Sequence, residues 1–181
     1  MALENFDYYK EEKKGGFIRP KEYVSSIFTI DIDDLAKKGI KALIVDIDDT
    51  IMPRAEYKIP FAVYSWVEKV KEKGLKIFLV SNGSRVPRTE YISKSLGING
   101  MALSFKPLPF AFKKAMNAMD VAPEETAVIG DQILTDVIGG NLLGAYTILV
   151  KPVAKEVSMI RMPMRFLEDS IINSLDLEIN S

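Results

Sequence analysis

Past Gly39 the chain alternates between two kinds of apolar pattern. Short continuous runs (KALIVDID, LKIFLVSNGS, MALSF, ETAVIGD and AYTILVKP) have the makeup of strands buried on both faces. Between them lie segments whose apolar residues recur near helical spacing. In FAVYSWVEKVKEKG these are Phe61, Val63, Tyr64, Val67 and Val70, and Gly74 ends the helix. RTEYISKSLG, ending at Gly97, PFAFKKAMNAM and ILTDVIGGNLLG read as three further helices. Five such strands alternating with helices predict an α/β domain with a parallel sheet, and right-handed crossovers put helices on both its faces. Upstream, FIRPKEYVSSIF is expected to begin a helix near Pro20, since proline suits a first helical turn. Residues 1–16, a charged mixture closing in Gly15-Gly16, are expected to form an arm. The domain proper is expected over 17–154. The tail, 155–181, carries a stripe of Met164, Leu167, Ile171 and Leu175 that fits one more helix packed on the domain.

Composition narrows the chemistry. With 181 residues, 48% hydrophobic and 27% charged, the chain is long enough to bury a real core. Its net charge of −1 gives no basic surface of the kind a nucleic-acid binder needs, so no nucleic-acid partner is expected. Cysteine and histidine are both absent, which eliminates disulfides, Ser-His-Asp triads, Cys-His pairs and the usual zinc sites. Catalysis must run on carboxylates, lysines, hydroxyls and a hard metal held by oxygen. MALENFDYYKEEKK lacks the apolar stretch of a signal peptide, and no apolar run approaches the roughly 20 residues of a membrane span. A cytoplasmic protein is the expectation, with peripheral contact at a membrane surface left open.

The tetrapeptide DIDD occurs twice, at 31–34 and 46–49. The first copy runs into LAKKG, where a helix amino terminus wants acceptors and negative charge, so Asp31 and Asp33 are expected to be caps. The second ends a buried strand. In open α/β sheets, ligands bind beyond the carboxyl ends of the strands, near the point where strand order reverses. The polar groups delivered to those ends are Asp46, Asp48, Asp49 and Thr50, then Ser81, Asn82 and Gly83, then Lys106, and then Asp131 with Asp136 after it.

That set resembles the haloacid dehalogenase (HAD) superfamily of phosphohydrolases. Its motifs are an apolar strand followed by D-x-D-x-[TV], here Asp46 to Thr50, a Ser or Thr ending the second strand, here Ser81, then Lys106, and an acidic GDxxxxD, here GDQILTD. All four occur in order across roughly residues 40–152. The first DIDD departs from the pattern, with Leu35 where Thr is wanted. More narrowly, IDDLAKKGIKALIVDIDDT, VSNGSR, KPLPFAFKKAM and VIGDQILTDVIGGNLLGAYTILVKPV resemble the YqeG family, which is itself similar to phosphatidylglycerophosphate phosphatases.

The resemblance implies a Rossmann-like three-layer α/β/α sandwich with a five-stranded parallel sheet. It implies Asp46 as a nucleophile that becomes an aspartyl-phosphate, and Asp48 as the acid and later the base. Ser81 and the amide of Asn82 would hold phosphoryl oxygens, and Lys106 would neutralise charge on nucleophile and phosphoryl group. Mg²⁺ would sit on Asp46, the Asp48 carbonyl and Asp131. Thr50 is expected to secure the loop. Asp136 has three readings: outer metal shell, orientation of Lys106, or a helix cap. Arg85 and Arg88 either read a second phosphate of a substrate headgroup or form a solvated helix start. The stretches after Thr50 and Ser84 are too short for a cap domain, so an open site is expected. Such a site suits a large phosphorylated substrate, of which a lipid headgroup, as in phosphatidylglycerophosphate, is the leading expectation. The alternatives are a soluble metabolite, a phosphoprotein, a nucleic-acid 3′-phosphate, or a binding protein that keeps the fold without turnover. For the tail stripe, core packing is expected over membrane contact, because its polar positions carry Glu168, Asp169, Asp176 and Glu178.

Overall fold

A computed structural model describes residues 16–154 and 162–180. The expected arm, apart from Gly16, and the first residues of the tail lie outside the described residues. Six parallel strands form one sheet in the order β1-β6-β5-β2-β3-β4. They are β1 (Glu22–Val24), β2 (Ala42–Val45), β3 (Lys76–Val80), β4 (Asn99–Met101), β5 (Thr126–Gly130) and β6 (Tyr146–Val150). The helices are α1 (Ile32–Lys37), α2 (Phe61–Glu72), α3 (Val86–Leu96), α4 (Pro109–Met119), α5 (Ile138–Leu143) and α6 (Met162–Ser174).

Two expectations are corrected here. The segment after Pro20 is the edge strand β1, paired in register with β6 (Tyr23 opposite Leu149), followed by a 3₁₀ turn at Ile27–Thr29. The sheet therefore has six strands where five were expected. Three residues are too few to show a period, and it is pairing to β6 that makes them a strand. The weak strand expected at MALSF lies slightly upstream, at β4. The other strands and the helices α2, α4 and α6 form where the apolar pattern puts them, and α3 begins two residues earlier than RTEYISKSLG suggests, at Val86.

Handedness explains the layers. The steps β1 to β2, β2 to β3 and β3 to β4 all move the same way along the sheet, so right-handed crossovers put α1, α2 and α3 on one face. There Ile32, Leu35, Val63, Trp66, Val67 and Ile92 pack on Leu43, Val45, Leu79 and Ile129. The chain then reverses direction, and α4 and α5 cover the other face. Ala111, Phe112, Ala115 and Met116 pack there on Ala42, Ile44, Val80 and Val128. Every residue of β2 is buried, as expected of a strand covered on both faces. α6 lies at the β6 end of this second face, where Ile171 and Ile172 meet Ile133, Val137 and Leu149. Of the stripe expected to pack, Leu175 is buried and Ile171 joins this contact, but Met164 and Leu167 are exposed because the helix turns that part of the stripe off the sheet. No helix among the described residues is long and apolar enough to cross a membrane.

In the first DIDD, Asp31 caps α1 as its setting predicts, accepting a hydrogen bond from the Asp34 amide at 3.0 Å. Asp33, expected to cap as well, lies inside the first turn and pairs with Lys73 at 2.6 Å instead. Gly39, at φ +85°, ends the turn after α1.

Candidate active site

The reversal in strand order falls between β2 and β5, and the second DIDD leaves β2 there. The backbone turns sharply at Asp49, whose φ is +67°, and Thr50 points back into the crevice. Its hydroxyl reaches Asp46 Oδ2 at 3.1 Å and Asp131 Oδ1 at 3.5 Å. Two carboxylates from adjacent strands thus converge on one point. Asp46, Asp48, Thr50, Ser81, Lys106 and Asp131 are all buried.

Lys106 joins the halves of the site. Its Nζ lies 2.5 Å from Asp46 Oδ1 and 2.6 Å from Asp136 Oδ1, and donates to the Val80 carbonyl at 3.0 Å. All three ammonium donors have a partner, which a buried cation requires. The segment carrying Lys106 is held by Asn82. The Asn82 Oδ1 accepts from the Lys106 amide and from Ser104 Oγ, both at 2.7 Å, and its Nδ2 donates to the Lys106 carbonyl at 3.0 Å. The Asn82 side chain is therefore a strut between two strand ends, a role separate from the one expected of its backbone amide.

Asp48 faces a different cation. Arg88 Nη1 donates to Asp48 Oδ1 at 2.7 Å, while Nε and Nη2 donate to the carbonyls of Glu56 and Pro53. Arg88 is 3% exposed, so it is neither a solvated helix start nor free to read a headgroup. Arg85 stays exposed. Ser81 Oγ lies 3.2 Å from Asp48 Oδ2 and accepts from the Gly83 amide at 2.9 Å. Gly83 is tightly placed, since a Cβ there would lie 3.0 Å from both Asp48 Oδ2 and Ser81 Oγ.

Of the three readings of Asp136, orientation of Lys106 is what its ion pair does. Its other oxygen also accepts from the Gln132 amide and Thr135 Oγ1, fastening the turn. That turn, Ile133–Val137, is a π-helix and not the plain helix expected. Gly130 makes room for it, because a Cβ at that position would stand 2.1 Å from Asp136 Cγ.

One site residue has no sequence signal. Arg165, from α6, donates to Asp131 Oδ2 at 2.7 Å, and lies 3.8 Å from Asp49 and Glu168. Its distance in sequence from every motif hides it.

The charges move the titration of the buried acids. Burial raises Asp46 to about 6; Lys106 opposes the shift, and the Asp136 and Asp48 charges add to it. Asp131 is pushed well up by burial and by the Asp46 and Asp136 charges, against Arg165. Burial alone would lower Lys106, but its ion pairs with Asp136 and Asp46 outweigh it and hold the ammonium. Two crowded carboxylates whose ionised forms are disfavoured suit a hard cation on oxygen ligands. Among the described residues no three acidic side chains form a metal-binding group. A cation here would take Asp46 and Asp131 and complete its shell from backbone carbonyl and water, as Mg²⁺ commonly does.

The chain has relatives among known proteins. The chain is 37% identical over 159 residues to the probable phosphatase YqeG of Bacillus subtilis, covering 88% of this chain and 92% of that protein. The chain belongs to the YqeG family of HAD phosphatases. The family described as HAD-hyrolase-like matches residues 105–175. A phosphoserine phosphatase of Thermus thermophilus is 30% identical over 105 residues, which span 54% of this chain and 42% of that enzyme. Among solved structures, an uncharacterised protein of Listeria monocytogenes serotype 4b superposes with a TM-score of 0.54 at 17% identity, over 76% of this chain and all of that one. A cobalt-bound deoxy-D-mannose-octulosonate 8-phosphate phosphatase of Haemophilus influenzae gives 0.50 at 17% identity, over 77% and 91%. At such identities the superpositions establish the shared fold.

Proposed function

We propose that this HAD phosphatase is Mg²⁺-dependent, works through Asp46 as nucleophile, and removes the terminal phosphate of phosphatidylglycerophosphate. The observation that carries the chemistry is the separation of the two motif aspartates onto different cations, Asp46 onto Lys106 and Asp48 onto Arg88.

In this reading an Asp46 oxygen attacks phosphorus. The bond to the ester oxygen breaks, and Asp48 gives its proton to the leaving alkoxide. Lys106 holds Asp46 in position and offsets negative charge on the phosphoryl group. Water then attacks the aspartyl-phosphate, Asp48 takes its proton, and inorganic phosphate leaves with Asp46 restored. Ser81, which now bonds Asp48, and the Asn82 amide would receive phosphoryl oxygens when substrate enters. Mg²⁺ on Asp46, Asp131 and the Asp48 carbonyl would lower the repulsion between the carboxylates and the phosphate. Thr50 and Asp136 support the set. The catalytic unit assigned here is 17–154, with α6 as an accessory that reaches Asp131.

The lipid substrate is supported by the open crevice and by the family's similarity to phosphatidylglycerophosphate phosphatases. The segments from Asp46 to α2 and from Ser81 to α3 hold no inserted domain to enclose a small metabolite. The test is phosphate release from phosphatidylglycerophosphate in mixed micelles, beside p-nitrophenyl phosphate and a panel of sugar, nucleotide and peptide phosphates. Each is run with and without Mg²⁺ and with Asp46→Asn. Preferential turnover of the lipid, abolished in the mutant and without metal, is expected. Turnover confined to a soluble ester would replace the lipid. Silence on every substrate from folded protein would overturn the catalytic reading.

A further inference from the structure

In a parallel α/β sheet the amino termini of the crossover helices lie at the carboxyl ends of the strands, beside the active site. The loops and helix starts at that end carry a concentration of exposed large apolar side chains. Phe61 opens α2 and is 84% exposed, and Tyr57 precedes it. The segment from β4 to α4 presents Leu103, Phe105, Leu108 and Phe110, all exposed, around buried Lys106. Two of these, Leu103 at φ +51° and Phe105 at φ +53°, occupy left-handed backbone that L-residues seldom adopt. A segment that is merely solvated has no need of either feature. Here the backbone is bent so that Ser104 and Lys106 face the site while their apolar neighbours face outward. Strained backbone kept at such a place points to a use.

Charge is sorted in the same way. Lys58, Arg85 and Lys151 are exposed on the loops at this end, and Arg54 is partly so. Against them stands Glu56, the one exposed acid among the described residues of 46–60, 81–85, 102–108 and 151–154. A chain of net charge −1 thus shows a basic, aromatic-rich rim on one end. Apolar side chains that insert, with cations among them, are what an anionic bilayer surface selects.

We infer that this rim docks on an anionic phospholipid bilayer, with the 103–110 segment inserted and the crevice facing the headgroups. The inference rests on the lipid-phosphatase reading, and it places membrane contact on the active-site loops. Docking would let a lipid phosphate reach Lys106 and Asp46 without leaving the membrane.

The test is sedimentation of the full chain with vesicles that contain no substrate, of phosphatidylcholine alone or mixed with phosphatidylglycerol. Binding to the anionic vesicles, and release by high salt, is expected. The double variant Leu108→Ser/Phe110→Ser should bind about tenfold more weakly. Its melting temperature and its turnover of p-nitrophenyl phosphate should match the unaltered chain. Lys58→Gln/Lys151→Gln should release at lower salt. Failure to bind anionic vesicles, equal binding to both compositions, or undiminished binding by the apolar variant would each overturn the inference. So would a lipid-free dimer that the same apolar variant dissociates, since the rim would then be covered by a second copy. If vesicles bind as expected but no phosphoester is turned over, docking stands and the phosphatase reading falls.

Discussion

At the scale of single residues, Asp46 is held in a place that disfavours its charge. Its folded pKa, about 6, lies above the unfolded value near 4, so its contribution to stability is present below that unfolded value and is lost as pH rises through 6. In metal-free protein at pH 7.5, Asp46→Asn is therefore expected to stabilise the fold by on the order of 2 kcal/mol, a gain that disappears near pH 4. Thermal melts across pH, in chelator, measure this. Adding Mg²⁺ should favour the unaltered chain instead. Lys106→Met should lower turnover of p-nitrophenyl phosphate by about a hundredfold or more. It should also move the acid limb of the pH–rate profile upward, because Asp46 loses the cation that opposes its shift. At Gly130, Gly130→Ala should cost about 1–3 kcal/mol, since the methyl group runs into the Asp136 side chain. Denaturant unfolding tests it, and a neutral result would mean the π-turn can move aside.

At the scale of elements, legibility followed the strength of local patterning. β2, β5 and α4 announce themselves through continuous or periodic apolar runs, and the acids Asp46, Asp48 and Asp131 follow because they end such runs. β1 does not, because its strand character comes from β6. Residues 133–137 read as helix because a π-turn has nearly the same apolar spacing, yet the wider turn is what aims Asp136 at Lys106. Arg88 looked like a surface cation because nothing local shows that the carbonyls of Pro53 and Glu56 return beneath it. Arg165 is the extreme case, since it lies outside every motif and meets Asp131 only because α6 packs back on the domain. Arg165 neutralises part of the charge a cation would meet at Asp131. Arg165→Ala should therefore shift the Mg²⁺ titration, followed by melting temperature, to several-fold lower concentration. An unchanged or higher midpoint would assign Arg165 to holding α6 alone.

Across the whole molecule, the class of fold was readable and the strand order was not. Alternation of strands and helices implies parallel pairing, but the reversal between β2 and β5 depends on which crossover leaves in which direction. That reversal makes the crevice, and it brings Asp46 and Asp131 together from positions 85 residues apart. Mg²⁺ is expected to raise the melting temperature of the entire fold, because it binds the native crevice and not the unfolded chain. Asp131→Asn should remove most of that rise.

The sheet's outer edge has a mechanical consequence. β1 is joined to the far end of the chain, where Val24 bridges Asn180 in parallel, the Asn180 amide donates to the Tyr23 carbonyl, and Arg19 holds the Leu175 carbonyl. Pulled from residues 16 and 180, these parallel segments slide in opposite directions, so the clasp is loaded in shear and not peeled. Its rupture would let α6 swing away before the sheet opens, carrying Arg165 off Asp131. Tension between the two ends would thus strip a cation from the catalytic crevice while leaving the aspartates in place.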